Sequence, residues 1–242
     1  MQHQAAGVRV INSRTIALTG GIAIALLTFA LPMDIFGMYY MFTVHMIQHL
    51  LFALVVPPLA LLGLSPSGLR RFLDNHKRIE RGIRVLTIPV LASILFNGNL
   101  WLWHAPPIFA AMMENSVLHL CANLLYLITG LLFWWPLLRP IQEHTLSIGG
   151  KLAYLFFSDM PMMLLGAGMT FSGPLYAFTM TNPTMDMVVT VQDQQLGGLL
   201  MWVGGSLFLY IVVASILFLR WMLQQEKIQQ AEEAKLYEEE ED

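Results

Sequence analysis

The chain has 242 residues, of which 56% are hydrophobic and 12% charged, and its mean hydropathy is +0.60. Soluble domains carry about 25% charged residues, so this composition excludes a water-soluble globule and points to a chain built for lipid. The net charge of −3 arises locally, from an acidic C-terminal tail, and nothing in it argues for a nucleic-acid partner.

Six apolar runs approach the roughly 20 residues that cross a hydrocarbon layer as helix. In chain order they are Thr15–Leu31, Tyr39–Leu64, Ile83–Trp103, Val117–Leu138, Leu152–Phe171 and Leu196–Leu223. Their length and their lack of period-two alternation predict helices rather than barrel strands. The first is the weakest, because Gly20–Gly21 interrupts it and Pro32–Met33–Asp34 ends it. With Arg9 and Arg14 beside it, this run also fits a signal peptide. Its length and the missing small-residue cleavage pattern favour a retained helix.

Six helices place all 13 basic residues on one side. Arg9 and Arg14 precede the first run. Arg70, Arg71, Lys77, Arg78, Arg81 and Arg84 fill the second loop, Arg139 and Lys151 flank the fourth, and Arg220, Lys227 and Lys235 follow the last run. The three opposite loops carry none, so both termini are expected in the cytoplasm. The expected fold is an all-α, polytopic membrane helical bundle of about six transmembrane helices. One bundle domain, residues 1–225, is followed by an acidic cytoplasmic tail, residues 226–242, read as solvated and partly helical or disordered. The basic second loop suits anionic membrane lipid. One cysteine, Cys121, excludes an internal disulfide.

Ionisable groups inside a membrane are costly and mark functional sites by default. His45 and His49 are four residues apart, which puts both imidazoles on one helical face about 6 Å apart along the axis. Histidines so spaced can hold one metal ion, or can simply pack. His104 at the end of the third run and His119 near the start of the fourth lie at matching depth toward the outer side. Asn123 is one turn beyond His119 on the same face. Asp193 stands just before the sixth run. His3, His76 and His144 read as solvated. Asp159, two turns into the fifth helix, is expected either to be paired or to cap a segment broken by Pro161. Of the 16 methionines, all but Met1 and Met222 fall in the outer half, the outer loops or near the midplane. Thioether and imidazole both suit copper, although methionine is also an ordinary packing residue. Trp101, Trp103, Trp134, Trp135 and Trp221 read as an interfacial belt. The pairs Gly197–Gly198 and Gly204–Gly205 allow close helix approach.

Five segments together resemble a family. They are His45–Met–Ile–Gln–His–Leu–Leu51 with Pro57–Pro58 and Leu61–Leu–Gly63; Trp103–His104–Ala–Pro106; Leu118–His119 with Leu131–Leu–Phe–Trp–Trp–Pro136; Gly173–Pro–Leu–Tyr176; and Asp193–Gln–Gln–Leu–Gly–Gly–Leu–Leu–Met–Trp202. In order and spacing they are similar to the CtaG-type assembly factors of bacterial haem–copper cytochrome c oxidases, over about residues 39 to 222. The resemblance implies a multi-pass protein of the bacterial plasma membrane that aids oxidase maturation by delivering copper, not an enzyme. Its partners would be an oxidase subunit or other copper-handling assembly proteins. The recurrent polar positions of the family fall on His45, His49, His104, His119 and Asp193, as metal ligands, with Asp193 a ligand or a group that orients an imidazole. One departure is Ala122–Asn123, where many members carry Glu-His; Cys121 or a methionine is the available compensation. Three other readings stay open: an intramembrane zinc hydrolase with three histidines and an aspartate around a metal-bound water, a b-type haem protein, and a copper transporter.

Overall fold

A computed structural model describes residues 13–30, 41–138, 146–176, 179–182, 185–188 and 190–241. Helix α1 is Ser13–Ala30. Helix α2 starts as Met41–Leu50, widens into a π-type turn over Leu51–Val55 and resumes as Val56–Gly63. Two short helices follow, α3 (Pro66–Asn75) and α4 (Lys77–Leu86). Then come α5 (Pro89–His104), α6 (Pro106–Glu114), α7 (Ser116–Leu138) and α8 (Ile148–Phe171). An antiparallel hairpin pairs β1 (Thr179–Asn182) with β2 (Met185–Val188), Thr179 opposite Val188. The last helix, α9, starts at Val191 and continues through two further π-type stretches, Leu200–Gly204 and Phe208–Ala214, into Ser215–Glu241.

Among the described residues, four helices are long and apolar enough to cross a membrane: Phe42–Gly63, Ser116–Leu138, Ile148–Phe171 and Val191–Gln230. A fifth crossing results if α4 and α5, bent by 78° at their junction, act as one span. The single run expected over Ile83–Trp103 is therefore broken. The cause is Pro89, which has no N–H to continue a helix and drives the residue before it out of the α region; Ile88 accordingly sits at φ −56°, ψ 126°. Helix α1 is apolar but shorter than these four helices.

The surface is that of a lipid-facing bundle. Val90, Val117, Phe157, Leu164 and Phe171 are exposed, while His45, His49, Asn97, Ser158, Asp159, Asp193 and Gln194 are buried. Helix α8 runs unbroken through Pro161, so Asp159 caps no new segment there. On α3 and α4 the basic residues are exposed, and Lys77 bridges Asp74 at 2.9 Å and Glu80 at 3.1 Å. That partner holds the Asp74 carboxyl below its ordinary range, chiefly by the hydrogen bond from Lys77. His76, between α3 and α4, is exposed as expected; His3 and His144 lie outside the described residues.

Pro57 and Pro58 explain the wide turn of α2. Neither ring nitrogen can donate, so the carbonyl of Ala53 has no backbone partner at either i+4 or i+5. The chain relaxes into a π-type turn, closed by Val56 N–H on the Leu51 carbonyl. The indole of Trp134 then donates to Ala53 O at 3.1 Å. This corrects the belt reading for two tryptophans: Trp134 and Trp103 are buried, Trp103 donating to Asn99 Oδ1 at 2.9 Å. Trp101 and Trp221 are exposed. Gly130 seats α7 on the same turn, since a Cβ there would lie 2.8 Å from Pro57 Cγ and 2.9 Å from Ala53 O.

Trp134→Phe keeps the apolar ring and strands a buried carbonyl. It should cost about 1–3 kcal/mol, read as a lower Tm in detergent. An unchanged Tm would show that the indole does not satisfy Ala53.

Candidate metal centre

The site is built at one end of the bundle, where α2, α7 and α9 begin and α5 and α8 end. Its placement rests on Asp193. This residue was expected just before the last helix; it lies inside the first turn of α9, whose Thr190 cap accepts from Asp193 N–H at 3.1 Å. The Asp193 carboxylate reaches across to α2. Oδ2 accepts from Phe42 N–H at 2.9 Å and Oδ1 from Thr43 N–H at 3.0 Å and from the Thr43 hydroxyl at 2.5 Å. The first N–H groups of a helix lack intrahelical partners and carry partial positive charge. A buried carboxylate from another helix answers both deficits. Close packing supports the join, since a Cβ on Gly197 would fall 2.5 Å from the Phe42 ring and 3.0 Å from Met46 Cγ.

From that anchor, one turn along α2 brings His45 and the next His49. Between them Gln48 points to α1 and donates to the Thr28 carbonyl at 3.1 Å, so the histidines face the bundle. His119, in the first turns of α7, meets them there. Ring centroids are 4.0 Å apart for His45 and His49, 5.3 Å for His45 and His119, and 6.4 Å for His49 and His119. One nitrogen from each of the three lies within 4.8 Å of the others. A four-coordinate ion with bonds of about 2.0 Å needs donors about 3.3 Å apart, which rotation of the imidazoles toward one another would supply. The ring of Phe109 from α6 meets His45 edge-on at 5.4 Å, and Tyr126 packs on His49 at 4.2 Å.

Among the described residues, neither nitrogen of His45 or His49 has a hydrogen-bond partner, and neither has Nε2 of His119. Each unsatisfied buried polar group costs about 1–3 kcal/mol. A metal ion fits this donor set, because it takes imidazole lone pairs that no protein donor uses. His119 is only half-buried and is thus the member nearest the surface.

The structure does not bring His104 or Asp193 into this three-histidine group. His104 ends α5 and is buried. Its Nδ1 lies 2.7 Å from the Leu100 carbonyl and 3.3 Å from the Tyr126 hydroxyl, and its Nε2 is 3.3 Å from Met46 Sδ. The carboxylate of Asp193 is committed to the start of α2. Asn123 is buried one turn from His119, its Oδ1 without a partner among the described residues, and Cys121 is exposed. Met33 and Met38 lie outside the described residues.

Two residues not singled out from the sequence hold the frame. Gln194 accepts from Leu175 and Tyr176 N–H at 2.8 and 3.1 Å and donates to the Met169 and Gly173 carbonyls at 3.0 and 3.1 Å. It thereby fixes the loop after α8. Tyr176 in that loop donates to the His104 carbonyl at 2.5 Å and packs against Phe42 and Phe109. Both stand inside the quoted segments Gly173–Tyr176 and Asp193–Trp202, but neither carries a charge that marks it there.

The substitution Asp193→Asn replaces one accepting oxygen by an amide donor, so that one of the two N–H groups, Phe42 or Thr43, loses its acceptor. Loss of these charge-assisted bonds should cost about 1.5–3 kcal/mol, seen as a lower Tm in detergent. An Asp193→Asn variant as stable as the parent would remove the anchoring role.

Known proteins resemble the chain over most of its length. An uncharacterized protein of Mycobacterium bovis is 25% identical over 218 residues, covering 80% of this chain, and an uncharacterized protein of Mycobacterium tuberculosis matches to the same extent. The chain spans about a third of the length of these relatives, 32%. No solved structure matches. The model of the cytochrome c oxidase caa3 assembly factors matches residues 1–224, and the chain belongs to that family.

Proposed function

We propose that this caa3-type oxidase assembly factor binds copper at His45, His49 and His119 and passes it to an oxidase subunit or to another copper-handling assembly protein. The observation that carries the reading is the convergence of three imidazoles, two fully buried, whose ring nitrogens have no protein partner among the described residues. Neutral imidazole suits copper and zinc alike; buried thioethers nearby tilt the choice toward Cu(I). His104 takes part from the adjoining position, and Asp193 acts by orienting α2. The protein's part is to hold and release the ion, with no turnover chemistry.

The same reading places six crossings in the bacterial plasma membrane, with both ends in the cytoplasm. Support comes from the one-sided basic residues and from α1, whose 18 residues extend about 27 Å against a hydrocarbon layer of about 30 Å. Helix α1 also packs closely on α2: a Cβ on Gly63 would lie 2.5 Å from Leu18 Cβ, and the Phe29 and Phe52 rings are 4.7 Å apart. The site then opens to the outer face.

The test is metal content of detergent-purified protein after loading with Cu(I) or Zn(II). About one equivalent of copper, lost both in a His45→Ala/His49→Ala double variant and in His119→Ala, is expected. Zinc held in preference to copper would point to a hydrolase, and no metal on the parent protein would end the copper reading.

A further inference from the structure

His104 and Met46 form an arrangement that the three-histidine group does not use. The carbonyl of Leu100 can only accept, and at 2.7 Å it is a closer partner of His104 Nδ1 than the Tyr126 hydroxyl at 3.3 Å, so we assign the proton to Nδ1, which donates to Leu100 O. The other tautomer would set a nitrogen lone pair against that oxygen. In the neutral ring, Nε2 therefore presents its lone pair, and the atom facing it at 3.3 Å is the thioether sulfur of Met46. Both side chains are buried, at 4% and 2% exposure. Two lone-pair donors turned toward each other gain nothing from the contact by themselves. A soft cation between them would bind both.

The rest of the geometry agrees. A ligating histidine commonly gives its other N–H to a backbone carbonyl, which fixes its tautomer and rotation; His104 does this, and its own carbonyl is held by Tyr176. With metal bonds of about 2.0 Å to nitrogen and 2.3 Å to sulfur, a donor spacing of 3.3 Å closes at a bent angle, with the ion beside the N···S line, and a slight parting of the two side chains opens that angle. Met46 lies on α2 between His45 and His49, and the His49 and His104 rings are 6.1 Å apart, centroid to centroid.

We propose that His104 Nε2 and Met46 Sδ form a second, sulfur-containing seat for Cu(I), adjoining the three-histidine group across His49, so that one ion passes between an all-nitrogen and a nitrogen–sulfur position on its way through the protein. Two buried cations so close would repel strongly, so the seats are occupied in turn. The ion keeps its oxidation state throughout: Cu–N bonds are exchanged for one Cu–S and one Cu–N bond, and no electron is transferred. This inference rests on the copper reading above.

X-ray absorption at the copper edge of protein loaded with one equivalent of Cu(I) tests it. The parent protein should show a sulfur neighbour at about 2.3 Å together with nitrogen. Met46→Leu, a volume-conserving change that cores tolerate well, should still hold about one copper but lose the sulfur, and should yield its copper to a soluble Cu(I) chelator several-fold more slowly. A nitrogen-only spectrum from the parent protein would overturn the second seat and leave the three-histidine site standing. Sulfur persisting in Met46→Leu would assign the contact to another thioether and likewise overturn it. Absence of bound copper would sink both.

Discussion

The grip of Asp193 on the start of α2 is the constraint on which the site depends. A helix N-terminus buried in a membrane bundle leaves N–H groups that water cannot reach. Here a carboxylate about 150 residues away in sequence satisfies two of them and a threonine hydroxyl besides. Because the bonds are made to Phe42 and Thr43, they fix both the height and the rotation of α2 against α9. His45 and His49 follow one and two turns later on a rigid helix, and His119 arrives from α7 at the same level. The three histidines, whose ring nitrogens lack protein partners among the described residues, are thus carried on helices anchored by satisfied polar contacts.

A second constraint runs through the prolines. Pro57 and Pro58 deprive α2 of donors, Trp134 restores one, and the result locks α7 to α2 below the histidines. Gln194 and Tyr176 do the same work on the other flank, tying the end of α8 and the end of α5 to α9. Packing between these helices uses glycine, with the Gly166 and Gly198 backbones so close that a Cβ on Gly198 would lie 2.7 Å from Gly166 O. Such contacts suit association in lipid, where close van der Waals approach rather than water exclusion holds helices together.

Much of this was legible in the sequence. The membrane character, the helical class and the histidines worth watching follow from composition, run length and the i, i+4 spacing of His45 and His49. What was not legible has physical reasons. Hydropathy sees an unbroken apolar run from Ile83 to Trp103, while the backbone sees a missing N–H at Pro89 and turns by 78°. Trp134 looks like an interfacial residue until Ala53 is known to need a donor. Spacing alone does not reveal that Asp193 faces Phe42 and Thr43, or that Met46 faces His104, because those contacts join separate helices. Gln194 carries no charge and stands beside a residue that does, so the sequence draws attention to its neighbour.

The most direct test of the account is the position of the ion itself. Crystals or oriented particles of the Cu(I)-loaded protein should give copper density, confirmed by anomalous scattering at the copper edge, enclosed by the imidazoles of His45, His49 and His119. No copper at those three rings, with the ion found only elsewhere in the bundle or at its surface, would contradict the claim that their convergence is a metal site.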